Sequence, residues 1–259
     1  GISEAPMDQE KPQAQLCQFL AKYNFVICKI NHFTTWSSII TKQCFFIAEA
    51  GVNHNGDLDT AKKLIEVAAE AGADAVKFQT FYANKLVTKT ASKASYQADL
   101  TGHDQSQFSM LKSFELSEDN FLKLREFADQ HNIEFMSTAF DGQSLEFLVS
   151  EVGVRRLKIP SGEITNGPFL LEHAHKGLPL IMSTGMATID EIHDALSVLA
   201  FGASNDQNCR APTKRLLAQA YEQERSKDWW GDRITLLHCT SEYPAPLEEI
   251  NLRALHSMS

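Results

Sequence analysis

The chain has 259 residues, 43% of them hydrophobic and 22% charged, which suffices for the buried core of one large domain or of two smaller ones. The formal net charge of −9 argues against a nucleic-acid or membrane-surface role. No apolar run reaches membrane-spanning length, and no signal-peptide pattern opens the chain.

Residues 1–43 carry no clean periodicity. The first 14 residues are polar, and the stretch 19–40 is apolar and β-branched, which suits a helix followed by a short hairpin. We therefore treat 1–43 as a poorly defined N-terminal extension and 44–259 as the folded domain.

From Cys44 onward, short apolar runs alternate with amphipathic segments. Strands are predicted at 44–51, 73–81, 133–140, 155–163, 178–186 and 233–244. Helices are predicted at 56–72, 117–130, 142–153, 167–177, 189–200 and, inside an insertion, 211–226. Ser117 is the expected N-cap of the second of these helices, and Thr188 with Glu191 has the spacing of a capping box.

This alternation of strands and helices predicts parallel β-strands joined by right-handed crossovers. The strands read as continuous apolar runs, which is typical of strands covered on both faces. Six such units fit a (β/α)8 TIM-type barrel or a doubly wound sheet. No G-x-G-x-x-G motif follows a strand, which weakens the dinucleotide-binding alternative.

Polar side chains collect where the predicted strands end. In a parallel barrel these ends share one rim, and that rim is where such folds carry out chemistry. The residues concerned are Glu49, Lys77, Gln79, Thr138, Lys158, Ser161, Glu163, Ser183, Ser241 and Tyr243.

Two lysines on this rim predict an anion site. Lys158 lies in the apolar stretch "LKIPSGE", and strand alternation puts Lys77 and Gln79 on one side of the second strand. A buried lysine is costly unless an anion meets it. Two lysines, with hydroxyls at Thr138, Ser161 and Ser183, suit a phosphate better than one carboxylate. The structural alternative is an ion pair between a lysine and Glu49 or Glu163.

Other chemistry-bearing residues have simpler interpretations. His54 lies in the turn sequence "NHNG", and His238 suits either a hydrogen-bonded core histidine or a ligand. His173, His175 and His193 fall on predicted outer helices and are expected at the surface. The five cysteines show neither zinc spacing nor a disulfide framework, which favours a reducing cytoplasm.

Six segments together resemble the sialic acid synthase family. They are "IAEAGVNHNGD", "GADAVKFQTF", "FMSTAFD", "LKIPSGEITNGP", "LIMSTGM" and "LLHCTSEYPAP", which follow one another between Cys44 and Leu255 in the family's order. Bacterial members condense phosphoenolpyruvate with N-acetylmannosamine or a related N-acetylated amino sugar. The resemblance implies a TIM-type barrel, a divalent metal (Mn²⁺ or Mg²⁺) and, at full length, a domain-swapped homodimer.

The resemblance also implies roles for individual residues. The phosphate of phosphoenolpyruvate is assigned to Lys77, Lys158, Thr138, Ser161 and Ser183, with Ser241 and Tyr243 lining the same pocket. Glu49, Gln79 and Glu163 fall where the family handles the amino sugar and the reacting carbons, and Glu49 and Glu163 are the catalytic candidates. Ser241 replaces an asparagine of some members, and Pro160 replaces a common glycine.

The family's metal-binding histidines lie on strands seven and eight, so the resemblance implies no metal ligand in this chain and places those ligands beyond Ser259. The small antifreeze-like domain, with its sugar-contacting arginine, is likewise expected beyond Ser259. We therefore expect an open, C-shaped barrel of six strands whose two free edges promote aggregation. In isolation such a fragment is expected to be inactive.

Three functions stay open at this point. The first is N-acetylneuraminate synthesis, and the second is the same condensation with another hexose, which gives legionaminate or pseudaminate. The third belongs to a different class: a truncated, non-catalytic remnant that binds phosphosugars.

Overall fold

A computed structural model describes residues 44–88, 106–204, 212–226, 233–240 and 245–258. The strands in these ranges are β1 (Ile47–Gly51), β2 (Ala75–Thr80), β3 (Glu134–Ala139), β4 (Leu157–Ile159), β5 (Leu180–Ser183) and β6 (Ile234–Leu237). The helices are α1 (Leu58–Glu70), α2 (Ala83–Leu86), α3 (Gln107–Phe114), α4 (Glu118–Gln130), α5 (Gly142–Phe147), α6 (Gly167–His175), α7 (Ile189–Ala203), α8 (Lys214–Ser226) and α9 (Ala254–Met258).

The strands form a single parallel sheet in the order β1-β2-β3-β4-β5-β6. Sequential order with a helix after each strand curls the sheet into a half-barrel, so the predicted TIM-type α/β fold with six βα units is confirmed. Among the described residues, β1 and β6 each have one strand neighbour, which leaves the half-barrel open as predicted. The stretch 19–40 lies outside the described residues.

Local sequence signals fix where several helices begin. The Ser117 hydroxyl accepts the Asn120 N–H at 3.2 Å at the start of α4. Thr188 and Glu191 form the predicted capping box at the start of α7. Each contact satisfies a backbone N–H that has no partner inside its helix.

Two elements are shorter than their sequence patterns suggest. The strand predicted over 155–163 is hydrogen-bonded only at Leu157–Ile159, and Ser161–Glu163 forms a 3-10 turn. Pro160 lies between them, and because it has no N–H it cannot continue the ladder. The helix predicted over 142–153 stops at Phe147 and continues as a π-helical turn over Leu148–Val152.

The two faces of the sheet differ in character. The outward face packs against the helices in one large apolar cluster, in which the Phe78 and Phe135 rings stack with centroids 5.5 Å apart. The inward face carries a smaller apolar cluster, formed by Ile47, Ala75, Met136, Ile181 and Leu237. The same face also carries polar side chains, which include Lys77, Thr138, Lys158 and Ser183.

Two further sequence expectations can be compared with the structure. Within the described ranges, no helix combines the length and apolarity that crossing a bilayer requires. Of the cysteines in the described ranges, Cys239 is free.

Candidate anion site at the carboxyl ends of the strands

The strand register brings most of the predicted site residues to one inward face. Ile47 and Ala75 belong to the inward apolar cluster, so alternation two residues later places Glu49 and Lys77 on the same side. Glu49 is paired with Lys77 across β1 and β2. Thr138 is paired with Gln79 on one side and with Lys158 on the other.

Lys77 is held by two neighbouring strands. The residue is 5% exposed, and its ammonium group pairs with the Glu49 carboxylate on β1 and donates to the Thr138 hydroxyl on β3 at 3.3 Å. The structural alternative considered from the sequence, an ion pair between a lysine and Glu49, is therefore present at Lys77. This pair does not exclude a binding role, because the lysine stays on the rim face.

Lys158 is as deeply buried, but no carboxylate in the described part of the chain contacts it. It is 5% exposed, and its Nζ donates to the backbone carbonyl of Ile159 at 2.8 Å. Burial, and then the nearby positive charge of Lys77, lower the pKa of Lys158 to about 7, against smaller opposing effects from Cys239 and Glu49. Within the described ranges, two buried lysines therefore lie close enough to influence one another, and only Lys77 contacts a carboxylate, that of Glu49.

Hydroxyl groups lie on the same face. Ser183 ends β5, and its Oγ accepts a weak hydrogen bond from the Cys239 thiol at 3.4 Å. Thr138 already contacts Lys77. Ser161 begins the 3-10 turn after β4 and is half-buried. These groups can donate to an anion without adding charge.

Glu49 and Gln79 converge on the backbone of Gly51. A β-carbon at Gly51 would lie 3.3 Å from Glu49 Oε1 and 3.8 Å from Gln79 Nε2. Gly51 also has a φ of +54°, in the left-handed region that glycine adopts most readily. A glycine after β1 thus leaves room for both side chains.

The other catalytic candidate, Glu163, is turned to a different partner. Its carboxylate accepts from Asn166 Nδ2 at 2.7 Å, and the Asn166 side chain also caps α6. In the described part of the chain Glu163 forms no ion pair, so it does not neutralise Lys158. The catalytic roles of Glu49 and Glu163 stay predictions.

Ser241 and Tyr243, the remaining pocket residues, lie outside the described residues. Their assignment to the phosphoenolpyruvate pocket also stays a prediction.

The histidines of the described ranges differ in how deeply they are buried. His54 is 1% exposed; its Nδ1 accepts the Gly56 N–H at 3.0 Å, and burial lowers its pKa to about 4. His173 was expected at the surface, but it is 0% exposed and contacts the Phe169 ring and carbonyl, because α6 turns this side toward the sheet. His193 is exposed, as predicted. The Nε2 atom of His238 is buried without a hydrogen-bond partner.

Divalent metal ions require a cluster of ligating side chains. Across the described ranges, no group of three or more His, Cys, Asp or Glu side chains could hold one. These residues therefore do not fit the metal that the fold family implies, and no chemical step is assigned to a metal here. That its ligands lie beyond Ser259 stays a prediction.

One feature of the rim was not predicted from the sequence. Asp141 caps α5 by accepting the Ser144 N–H at 3.0 Å, and its second oxygen accepts the Tyr82 N–H at 3.3 Å. This carboxylate ties the loop after β3 to the loop after β2. The signal was available, because Asp141 precedes a helix start by one residue, the usual N-cap position.

The fold and this rim together define a TIM-type barrel domain whose strand ends are suited to an anionic ligand. Comparison with known proteins is more specific. The model of the NeuB family matches residues 64–259, and the chain belongs to that family.

The chain is similar to longer proteins of known activity. It is 47% identical to an N,N'-diacetyllegionaminic acid synthase of Legionella pneumophila over 231 residues, covering 89% of this chain and 58% of that protein. An enzyme of the same name from Campylobacter jejuni is 45% identical, with 84% and 57% covered. The chain thus spans less than two thirds of the length of these relatives.

A solved structure agrees with the fold. The N-acetylneuraminic acid synthetase of Leptospira borgpetersenii, in complex with citrate, superposes with a TM-score of 0.61 at 28% identity. The match covers 90% of this chain and 67% of that one.

Proposed function

We propose that this chain carries the phosphoenolpyruvate-binding face of a nonulosonic acid synthase. The reaction is condensation of phosphoenolpyruvate with N-acetylmannosamine or a related N-acetylated amino sugar, with release of phosphate. The observation that supports it most directly is the pair of buried lysines on the inward rim, Lys77 and Lys158, of which only Lys77 contacts a carboxylate, that of Glu49, within the described ranges. An anionic ligand would supply the missing negative charge.

In this proposal the cationic rim holds the phosphoryl group. Lys77 and Lys158 bind its oxygens, and the hydroxyls of Thr138, Ser161 and Ser183 donate further hydrogen bonds. The citrate complex of the Leptospira relative supports the ligand class, since citrate is a small polyanion.

The chemistry is a carbon–carbon bond formation coupled to carbon–oxygen cleavage. Carbon three of phosphoenolpyruvate attacks the aldehyde carbon of the open-chain sugar, whose oxygen takes a proton. A water oxygen then adds to carbon two, and the bond from carbon two to the phosphate oxygen breaks. The lysines stabilise the charge that builds up on the departing phosphate. Glu49 and Glu163 are the proposed proton-transfer and water-positioning groups, beside Gln79.

The identity of the sugar follows the relatives. Two of them, 47% and 45% identical, are N,N'-diacetyllegionaminic acid synthases, which favours a legionaminate-type product over N-acetylneuraminate or pseudaminate. The proposed setting is cytoplasmic, in a homodimer that uses Mn²⁺ or Mg²⁺. A non-catalytic phosphosugar-binding remnant is the alternative from another class.

The test is phosphate release from phosphoenolpyruvate by the complete protein, with Mn²⁺ and a choice of N-acetylated amino sugars. Lys158→Ala should raise the KM for phosphoenolpyruvate about 10- to 100-fold, since a charge-assisted contact contributes about 1.5–3 kcal/mol. The KM for the sugar should change little.

The matched control is Lys63→Ala, which removes an exposed lysine on α1. A Lys158→Ala effect on the sugar alone would refute the assignment of Lys158 to phosphate. Binding of phosphoenolpyruvate without turnover for any of the sugars would favour the remnant.

A further inference from the structure

The charges on the inward rim do not balance. Lys77 is paired with Glu49, whereas Lys158 is equally buried and, among the described residues, its Nζ contacts a backbone carbonyl of its own strand and no carboxylate. A charged ammonium group without a counter-ion is expensive to bury, and the usual response is loss of the proton. If both lysines were protonated, the described part of the rim would hold one positive charge more than Glu49 neutralises when no ligand is bound.

The surroundings of Lys158 leave few groups that could offset this charge. The strand neighbours Thr138 and Ile181 carry no charge. The titratable groups that act on it from other elements are Lys77 and Glu49 on β2 and β1, and Cys239 after β6. His173 on α6 also feels the charge of Lys158, but burial lowers its pKa to about 4, so it stays neutral above pH 6.

We propose that, above neutral pH, Lys158 is a neutral amine in the empty site and takes up a proton when a phosphate-bearing ligand binds. The nitrogen lone pair accepts a proton from solvent, and the ligand provides the counter-charge that keeps it there. The site then binds its anion together with one proton. This inference rests on the proposed function, because it takes the rim to be an anion site.

The sign of the pH dependence follows from linkage. Below pH 7, the value to which burial and Lys77 lower the pKa of Lys158, the lysine is already charged and binding takes up little. Above it, each binding event takes up close to one proton. Affinity then falls by about tenfold per pH unit, until the pH exceeds the raised pKa of the occupied site.

Sulfate is the probe for this inference, because it resembles phosphate and stays a dianion from pH 6 to 9. Isothermal titration calorimetry of the complete protein, in two buffers of different ionisation enthalpy, counts the protons taken up. The expected uptake rises from near zero at pH 6 to near one at pH 8.5. The dissociation constant should rise about 30-fold over that range, by the linkage relation.

Three variants locate the proton. Lys158→Arg keeps a permanent charge, so it should still bind sulfate but lose both the uptake and the pH dependence. Lys77→Arg is the matched control on the neighbouring strand and should keep the uptake. Cys239→Ser removes the nearby thiol and should also keep it.

Sulfate binding that is equally tight at pH 6 and 8.5, with no proton uptake, would overturn this inference and leave the anion site intact. Loss of the uptake in Cys239→Ser would assign it to the thiol and overturn the role of Lys158. A complete absence of sulfate binding would overturn both this inference and the anion site. Should Lys158→Arg fail to fold, the proton count of the parent protein still decides.

Discussion

Replacing Glu49 by glutamine should destabilise the protein in the absence of anions, because it removes the carboxylate that pairs with buried Lys77 and also acts on Lys158 at longer range. Breaking a buried ion pair from one side costs about 3–5 kcal/mol. The side chain of Glu49 is 16% exposed, and a glutamine oxygen can still accept from Lys77, so some of the interaction survives. We therefore expect a loss of about 2–4 kcal/mol in the free energy of unfolding.

Urea unfolding of the complete protein measures this loss. With a slope of about 2 kcal/mol per molar urea, the midpoint should fall by about 1–2 M. The double variant Glu49→Gln/Lys77→Met should recover most of the loss, since it removes the unpaired charge together with its partner. Adding sulfate should also raise the midpoint of Glu49→Gln more than that of the parent, because an anion replaces the missing carboxylate.

A matched control is Glu66→Gln on α1, which breaks an exposed, solvent-screened pair with Lys63 and should leave the urea midpoint nearly unchanged. A Glu49→Gln midpoint within 0.2 M of the parent, or about 0.4 kcal/mol at that slope, would refute the reasoning. It would mean that water reaches the rim and screens both lysines. A large loss that neither Lys77→Met nor sulfate reverses would point instead to a packing role for Glu49.

Two further predictions concern the backbone at the rim and the buried histidines. Gly51→Ala should lower stability by about 1–2 kcal/mol because of its left-handed φ, and by a further amount because the new methyl group meets Glu49. The control is Gly72→Ala, at a similar φ of +79° but with open space around it. Thermal melts that show equal losses for the two variants would exclude the contribution of the Glu49 contact. Burial lowers the pKa of His54 and of His173 from 6.5 to about 4, so the unfolded chain binds protons more readily than the folded one between those values. The stability that these neutral histidines contribute is complete above pH 6.5. Between pH 6.5 and 4 each histidine should lower the free energy of unfolding by about 1.4 kcal/mol per pH unit. If the urea midpoint of His173→Asn depends on pH with the same slope as that of the parent, the prediction is wrong for His173.

The sequence was sufficient to predict the fold because the pattern is repetitive. Each strand is a short, mainly apolar run, most of the longer helices begin with a capping residue, and such signals depend on neighbours a few residues away. The capping box at Thr188 and Glu191 is an example, since both partners lie within one turn. The early end of β4 was also readable in principle, because Pro160 cannot donate to the ladder.

The sequence could not decide how the charges on the rim are distributed. Glu49 and Glu163 were equivalent candidates as the partner of a lysine, and the choice depends on strand register and on the 3-10 turn after β4. The turn directs Glu163 to Asn166, whereas register places Glu49 beside Lys77. The burial of His173 is likewise a tertiary property, because it depends on the side of α6 that faces the sheet.

The inward face of the half-barrel links binding to stability. Apolar side chains lie beside the lysines in register, Met136 next to Lys77 and Ile181 next to Lys158, so that the lysines interact in a medium less polar than water. In that medium a charged Lys158 is costly without a ligand, which favours its neutral form, and the charged form attracts an anion strongly when one is present. A rim fully neutralised by a second carboxylate would make the empty protein more stable, but it would bind an anion less tightly. Within the described ranges the rim has one carboxylate, that of Glu49, for two lysines. The ligand therefore supplies the second negative charge.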